Sequence, residues 1–522
     1  MGRGRGILRT SAVGAVSAAL LATAVVGLAP AAQAGTSSVR FVDITGDGGT
    51  VLKANVVTPA GAEASRAYPL IVLPTSWGLP QAEYLVQAHR LADSGYVVLS
   101  YNVRGFWQSG GEIEVAGPPD VADASKVIDW ALAHTPADPR HIGMAGVSYG
   151  AGISLLAAAH DRRIKAVASL SGWSDLTGSI YSGRTQHVQA AALLDGVGTA
   201  VGRESPEVRR IFDEFYASDL SKEQEIADWG RRRSAGTYVD RLNRNGPAVL
   251  LANAWGDSIF PANQFGDFYE KLTVPKRLEL RPGDHATPDL PGLFGLPSDV
   301  WTDTGRWFDH YLKGVDNGID REQPVRLTSR SADGYEGYPD WKSVGATRRK
   351  IALADSATLR ANVDSGADGG IVYLSSLLDQ LAHLPPVVSV PLLPRRWAAV
   401  WQSQPYAAVQ RVRGTATLHT TLTPSAESGT LVAYLYDVGP LGLGKLVTHA
   451  PYTWHGRTPG EPFGVDLDLF STAYDVPAGH RLALVVDTVD PLYIEHNPSG
   501  AQLTFSSPAN DPSYVSVPLR EQ

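Results

Sequence analysis

From residue 39 the chain alternates between short apolar, β-branched runs and longer segments whose apolar residues recur at helical spacing. Residues 39–45 and 50–58 read as two strands joined by Gly46-Asp47-Gly48-Gly49, whose glycines suit a tight hairpin. The continuous apolar run 70–73 reads as a buried strand. After it come a helical stretch at 82–94, a strand at 96–101, a helix at 121–133, a strand at 142–145, a helix over 153–159 and a strand at 164–170. This alternation predicts a parallel sheet covered by helices. From about 174 to 243 the pattern turns polar and helical, with apolar residues at helical spacing from Val208 to Phe215, which predicts an inserted helical cap. The sheet resumes at 248–252 and 277–280, bringing the count to eight strands, and a helix at 301–312 closes the layer. Eight strands with a late insertion is the α/β-hydrolase plan.

Beyond Gly318 the texture changes to Pro-rich turns and short alternating strands at 325–329, 350–353, 416–422, 431–437, 481–487 and 514–519. This predicts an all-β sandwich over 323–522, with the boundary near 321–324 and the catalytic domain over 35–322. The Gly/Asp-rich piece 364–370 reads as a surface loop, and no repeat of fixed period is present. Residues 1–34 combine Arg3, Arg5 and Arg9 with an apolar run from about Ala12 to Leu28 and the small-residue site Ala32-Gln33-Ala34. That is the pattern of a secretory leader cleaved after Ala34, so the mature protein is expected to be secreted and not stably inserted in a membrane.

Composition narrows the function. A chain of 522 residues with 43% hydrophobic content has enough apolar mass for a large core. The net charge of −8, more acidic still without the leader arginines, disfavours nucleic-acid binding. With no cysteine, disulfides, thiolate metal sites and a cysteine nucleophile are all excluded. Neither H-E-x-x-H nor a comparable His/carboxylate spacing occurs, so no metal is expected.

The chemistry gathers at Gly146-Val147-Ser148-Tyr149-Gly150, between a predicted strand and a predicted helix. Such a turn holds a serine hydroxyl out at the sheet edge, and the glycines clear space for neighbouring backbone. A serine hydroxyl needs a base, and the base needs an acid to fix its tautomer, in the order Ser, acid, His. Asp257 follows strand 248–252 and His285 follows strand 277–280, each at a strand end suited to its role. His89, His134, His141 and His160 fall on helices or at a strand start, and Asp284 is set aside because it adjoins the base directly. For the oxyanion, the Tyr149 backbone N–H is one expected donor, and Ser76 or Trp77, in the loop after strand 70–73, is the expected source of the second. Trp77 serves equally well as a wall of the substrate pocket.

With Arg104-Gly105, Ser109-Gly110, Glu112, the helix from Asp123 to Trp130 and Met144-Ala145-Gly146-Val147-Ser148-Tyr149, the chain resembles the X-prolyl dipeptidyl peptidase and cocaine-esterase family of serine hydrolases. The carboxyl-terminal third is similar to that family's jelly-roll module in Gly414 to Leu418, Leu435 to Val438 and Gly479 to Leu482. The resemblance implies a Ser148, Asp257, His285 triad, a cap over the cleft, a jelly-roll that shapes substrate access, and no cofactor. Two positions depart from the pattern: Thr75 stands where the family often has an oxyanion-binding tyrosine, and Asn102 where it has an aspartate.

Three functions follow as expectations. The first is a secreted X-Pro dipeptidyl-peptidase-like hydrolase, whose substrate amino terminus would need carboxylates such as Glu204, Glu207, Asp213 or Glu214 of the cap. The second is an acyl esterase using the same triad. The third is an extracellular polymer-binding protein with an inactive hydrolase half.

Overall fold

The computed structural model describes residues 37–63, 66–382 and 384–521, so the predicted leader lies outside the described residues. Its first domain is built on strands β1 (Ser38–Thr45), β2 (Val51–Thr58), β3 (Tyr68–Pro74), β4 (Val97–Tyr101), β5 (Ala137–Val147), β6 (Ile164–Leu170), β7 (Ala248–Ala254), β8 (Lys276–Arg281), β9 (Val325–Thr328) and β10 (Tyr335–Tyr338). They form one sheet in the order β1-β2-β4-β3-β5-β6-β7-β8-β9-β10. From β4 to β9 neighbours are parallel, and antiparallel pairs close both edges. β3, β4, β6, β7, β8 and the Ile142 to Val147 part of β5 are buried almost throughout, as a parallel sheet covered on both faces requires. Helices Leu85–Asp93 and Asp299–Lys313 pack with one apolar cluster, and Pro118–His134 and Tyr149–His160 with another.

The sheet extends further than the eight strands expected. Residues 325–328, read from sequence as the first strand of the sandwich, pair in parallel with β8, Leu278 opposite Val325. Residues Tyr335–Tyr338 then close the edge. Local alternation is the same for an edge strand of either sheet, so the pattern could not tell which one it joins.

Between β6 and β7 lies the cap, with helices Leu176–Ile180, Val188–Val201, Pro206–Ala217, Glu223–Arg232 and Val239–Asn245. The second domain is a sandwich. One sheet contains Thr417–Pro424, Gln502–Ser506 and Tyr514–Val517; the other contains Gly429–Val438, Leu443–Trp454 and Arg481–Asp487. Along Gly429–Val438, Leu431, Ala433 and Leu435 pack into the sandwich with Leu418, Leu422 and Val515. The alternate residues Val432, Tyr434 and Tyr436 join the core cluster of the first domain. Strand alternation thus gives one strand two cores, and the domains share a buried seam.

Loop 364–370, expected at the surface, lies in that seam. Ser365 and Ala367 are buried, Ser365 Oγ donates to Asp487 (2.6 Å) and Gly369 N–H donates to Asp490 (2.6 Å). The buried carboxylates need these donors, which draws a polar loop inward. The cap is fastened to the same domain: Gln189 donates to the Pro491 carbonyl at 3.0 Å, and the Thr185 and Thr453 hydroxyls lie 2.8 Å apart.

Candidate active site

Ser148 sits between β5 and helix Tyr149–His160 with φ 56° and ψ −115°, a strained conformation that turns the chain sharply. Its neighbours must be small. A Cβ on Gly146 would lie 2.4 Å from the Gly150 carbonyl carbon, and one on Gly150 would lie 2.0 Å from the Pro74 carbonyl oxygen. Two further bonds hold the turn: Ser148 N–H donates to the Leu170 carbonyl (2.8 Å), and Val147 N–H donates to the Tyr84 hydroxyl (2.9 Å).

The two other predicted residues arrive from the ends of β7 and β8. His285 Nε2 lies 2.8 Å from Ser148 Oγ, and His285 Nδ1 lies 3.0 Å from Asp257 Oδ2. Asp257 Oδ1 accepts from the Ile259 (2.9 Å) and Phe260 (2.7 Å) N–H groups, which locks the carboxylate in place. With Nδ1–H donating to Asp257, the Nε2 lone pair is left to accept the Ser148 hydroxyl. All three side chains are buried.

Asp284 does not contact the imidazole as an acid would. Its Oδ1 accepts from Ser258 N–H and Oγ (2.7 Å each) and from His285 N–H (2.6 Å), tying the acid loop to the base loop. Burial alone would lower the His285 pKa. The Asp257 charge and hydrogen bond, with Asp284 and Asp289 behind, outweigh it and hold the imidazole above its usual 6.5. Burial also pushes Asp289 up to about 6.

Of the two loop candidates for the oxyanion, Ser76 is committed elsewhere. Its N–H donates to both oxygens of Glu83 (3.2 Å each), and its hydroxyl to Glu83 (2.8 Å) and to the Val147 carbonyl (3.0 Å). Sequence gave no sign of this, because Glu83 comes back to Ser76 through the short turn Gln81–Tyr84. Burial raises Glu83 to about 7 against the hydrogen bonds from Tyr84 and Ser76. The backbone N–H groups of Tyr149 and Trp77, by contrast, meet no acceptor among the described residues, and both residues line the cavity with Ser148. Thr75, at the departure noted above, is buried and its hydroxyl accepts from Val103 N–H at 3.2 Å.

Trp77 is also a wall. Its ring lies 5.0 Å from Phe106 and 5.1 Å from Tyr149, and its Nε1–H donates to the Leu194 carbonyl of the cap (2.9 Å). Phe260, 5.1 Å from the His285 ring, forms part of the same wall and was not singled out from sequence. Tyr373, from the second domain, approaches His285 at 6.3 Å between ring centroids. The helix that follows it, Leu374–Ala382, was also not foreseen; its Ser376 donates to the Gly256 carbonyl (3.1 Å) beside Asp257.

The cap carboxylates proposed as amino-terminus binders do not face the cavity. Glu204 and Asp213 pair with Arg209 (3.2 Å each), Glu207 with Arg233 (3.1 Å) and Glu214 with Arg210 (2.7 Å). None of them lines the cavity beside Ser148. Of the other histidines weighed from sequence, His134 and His160 bond carbonyls of their own helices, His141 bonds Asp138, and His89 Nδ1 lies 2.9 Å from the Ser37 hydroxyl. Among the described residues no group of His, Asp and Glu has the arrangement to hold a metal ion, and no helix is long and apolar enough to cross a membrane.

Comparison with known proteins agrees with this architecture. Residues 47–287 match the X-Pro dipeptidyl-peptidase (S15 family), and residues 317–516 match the X-Pro dipeptidyl-peptidase C-terminal non-catalytic domain. A Streptomyces avermitilis protein whose name assigns it to the Xaa-Pro dipeptidyl-peptidases is 24% identical over 499 residues, covering 79% of this chain and 69% of that protein. Two solved structures share the fold. An aminopeptidase from the marine sediment archaeon Thaumarchaeota archaeon has a TM-score of 0.71 at 15% identity, covering 94% of this chain and 97% of its own. An alpha-amino acid ester hydrolase has a TM-score of 0.68 at 16% identity, covering 94% and 98%. With both domains matched in order, the chain belongs to the X-Pro dipeptidyl-peptidase (S15) family and is a serine hydrolase of the dipeptidyl-peptidase or esterase type.

Proposed function

We propose that this chain is a carboxylic-ester hydrolase that works through a Ser148 acyl-enzyme, and that it acts outside the cytoplasm, a reading supported by the leader-like pattern of residues 1–34. His285 Nε2 takes the Ser148 proton as Oγ attacks the ester carbonyl, and Asp257 stabilises the imidazolium that forms. The Tyr149 and Trp77 N–H groups receive the developing oxyanion. His285 then protonates the leaving alkoxide and activates the water that releases the acid. The 2.8 Å and 3.0 Å contacts of the imidazole support this assignment.

The observation that favours ester over dipeptide is that the cap acids pair with arginines and do not line the Ser148 cavity. A dipeptidyl peptidase must bind a charged substrate ammonium, and among the described residues no acidic one lines this cavity. The relatives' names favour the peptidase reading, so the two compete directly. Turnover of nitrophenyl esters against Xaa-Pro nitroanilides, with Ser148→Ala as blank, separates them. We expect kcat/KM to favour the ester by about a hundredfold or more, the scale of an unpaired buried charge. Faster Ser148-dependent cleavage of the nitroanilide would restore the peptidase reading.

A further inference from the structure

We propose that the cavity under the cap is an acyl-chain site that selects extended aliphatic acyl groups of several carbons, with Ser148 at one end and the cap's own small core as its floor. This rests on the esterase reading above and adds the substrate class to it.

The cavity beside Ser148 is lined by residues of both the hydrolase domain and the cap, and opens to solvent at its mouth. On the hydrolase side its walls are Ser148, Tyr149, Trp173 and Phe260; on the cap side they include Ala191, Phe215 and Ile226. Those three cap residues, with Tyr181, also form a separate apolar cluster inside the cap. The void therefore opens into the centre of the cap, where close packing would otherwise be the stable arrangement. Its polar wall groups besides Ser148 are few. Thr177 Oγ1 already donates to the Ala227 carbonyl (3.2 Å), so the cavity offers water few partners. An aliphatic chain attached to the Ser148 ester is the occupant that such walls accept, whereas a charged group would lose its hydration without replacement.

The test is a nitrophenyl ester series from acetate to decanoate on the full chain. For the wild type, kcat/KM should rise about fourfold per added methylene, the worth of a buried CH₂, and fall once the chain meets Phe215 and Ile226. Ala191→Phe fills the floor and should lower the octanoate-to-acetate ratio of kcat/KM by about tenfold or more. Ile226→Ala deepens it and should move the optimum to a longer chain. A wild-type profile that is flat or falls from acetate, with acetate turnover dependent on Ser148, overturns the acyl-chain site and leaves the esterase reading standing. Absence of Ser148-dependent turnover for every ester overturns the esterase reading itself, and the acyl-chain site with it. A uniform loss across the series in a folded Ala191→Phe also overturns the site. Should that variant fail to fold, Ile226→Ala alone decides: an unmoved optimum counts against the proposal.

Discussion

His285 is buried among three carboxylates, Asp257, Asp284 and Asp289, and its raised pKa has a definite sign in activity. The base works only as neutral imidazole, so kcat/KM should fall on the acid side with an apparent pKa above 6.5. The same shift adds stability that is fully present below the unfolded value of 6.5 and is lost as pH rises through the folded value. A pH–rate profile of kcat/KM checks the first statement; an acid limb centred at or below 6.5 would contradict it. Glu83 makes a second case. Burial raises it to about 7, so its contribution to stability is present below pH 4.5 and drains away as pH rises through 7. Glu83→Gln keeps an acceptor for Ser76 and should flatten that pH dependence, with kcat close to wild type. Glu83→Ala orphans the Ser76 N–H and frees the Trp77 loop; we expect about 1–3 kcal/mol of destabilisation and a fall in kcat. Thermal melts at pH 5 and pH 8 beside kcat separate the two variants. Ser148, Asp257 and His285 were legible because each lies at the end of a strand whose pattern is plain. The role of Ser76 was misread because the residue pattern does not show that the turn Gln81–Tyr84 folds the Glu83 carboxylate back onto it.

At the scale of elements, the turn around Ser148 is fixed by backbone packing. Gly150 lies against the Pro74 carbonyl, backbone to backbone, so neither side can yield. Gly150→Ala should cost about 3 kcal/mol or more and abolish turnover, because it drives the Pro74 to Trp77 loop away from the serine. Gly305, within helix Asp299–Lys313, faces open space, and Gly305→Ala should instead stabilise by about 1 kcal/mol. Differential scanning calorimetry of the two variants reads both signs. Most strands of the first sheet were legible, since buried parallel strands are apolar runs between helices. Among the elements that were not are β9, β10 and a helix of the second domain. β9 carries the same alternation whichever sheet it joins, and helix Leu374–Ala382 is a single short element amid Pro- and Gly-rich loops, where periodicity has little length in which to show.

Across the whole molecule, the two domains share one apolar seam and the cap is pinned to both. The sandwich contributes Tyr373 and Ser376 beside the acid and base loops, so the second domain helps frame the reacting groups. Sequence foretold the two-domain order but not this seam. Loop 364–370 looks polar and exposed until the buried Asp487 and Asp490, over a hundred positions away, are seen to need its donors. Three side chains far apart in the chain, Ser148, Asp257 and His285, meet as one relay only in the folded molecule. The most direct test of this relay is mass spectrometry of the protein after brief treatment with a fluorophosphonate. One adduct per chain is expected, on the peptide containing Ser148, absent from Ser148→Ala, strongly slowed in a folded His285→Ala and lost on unfolding in urea. Labelling of Ser148 that proceeds as fast in His285→Ala or in urea, or that falls on another residue, would contradict it.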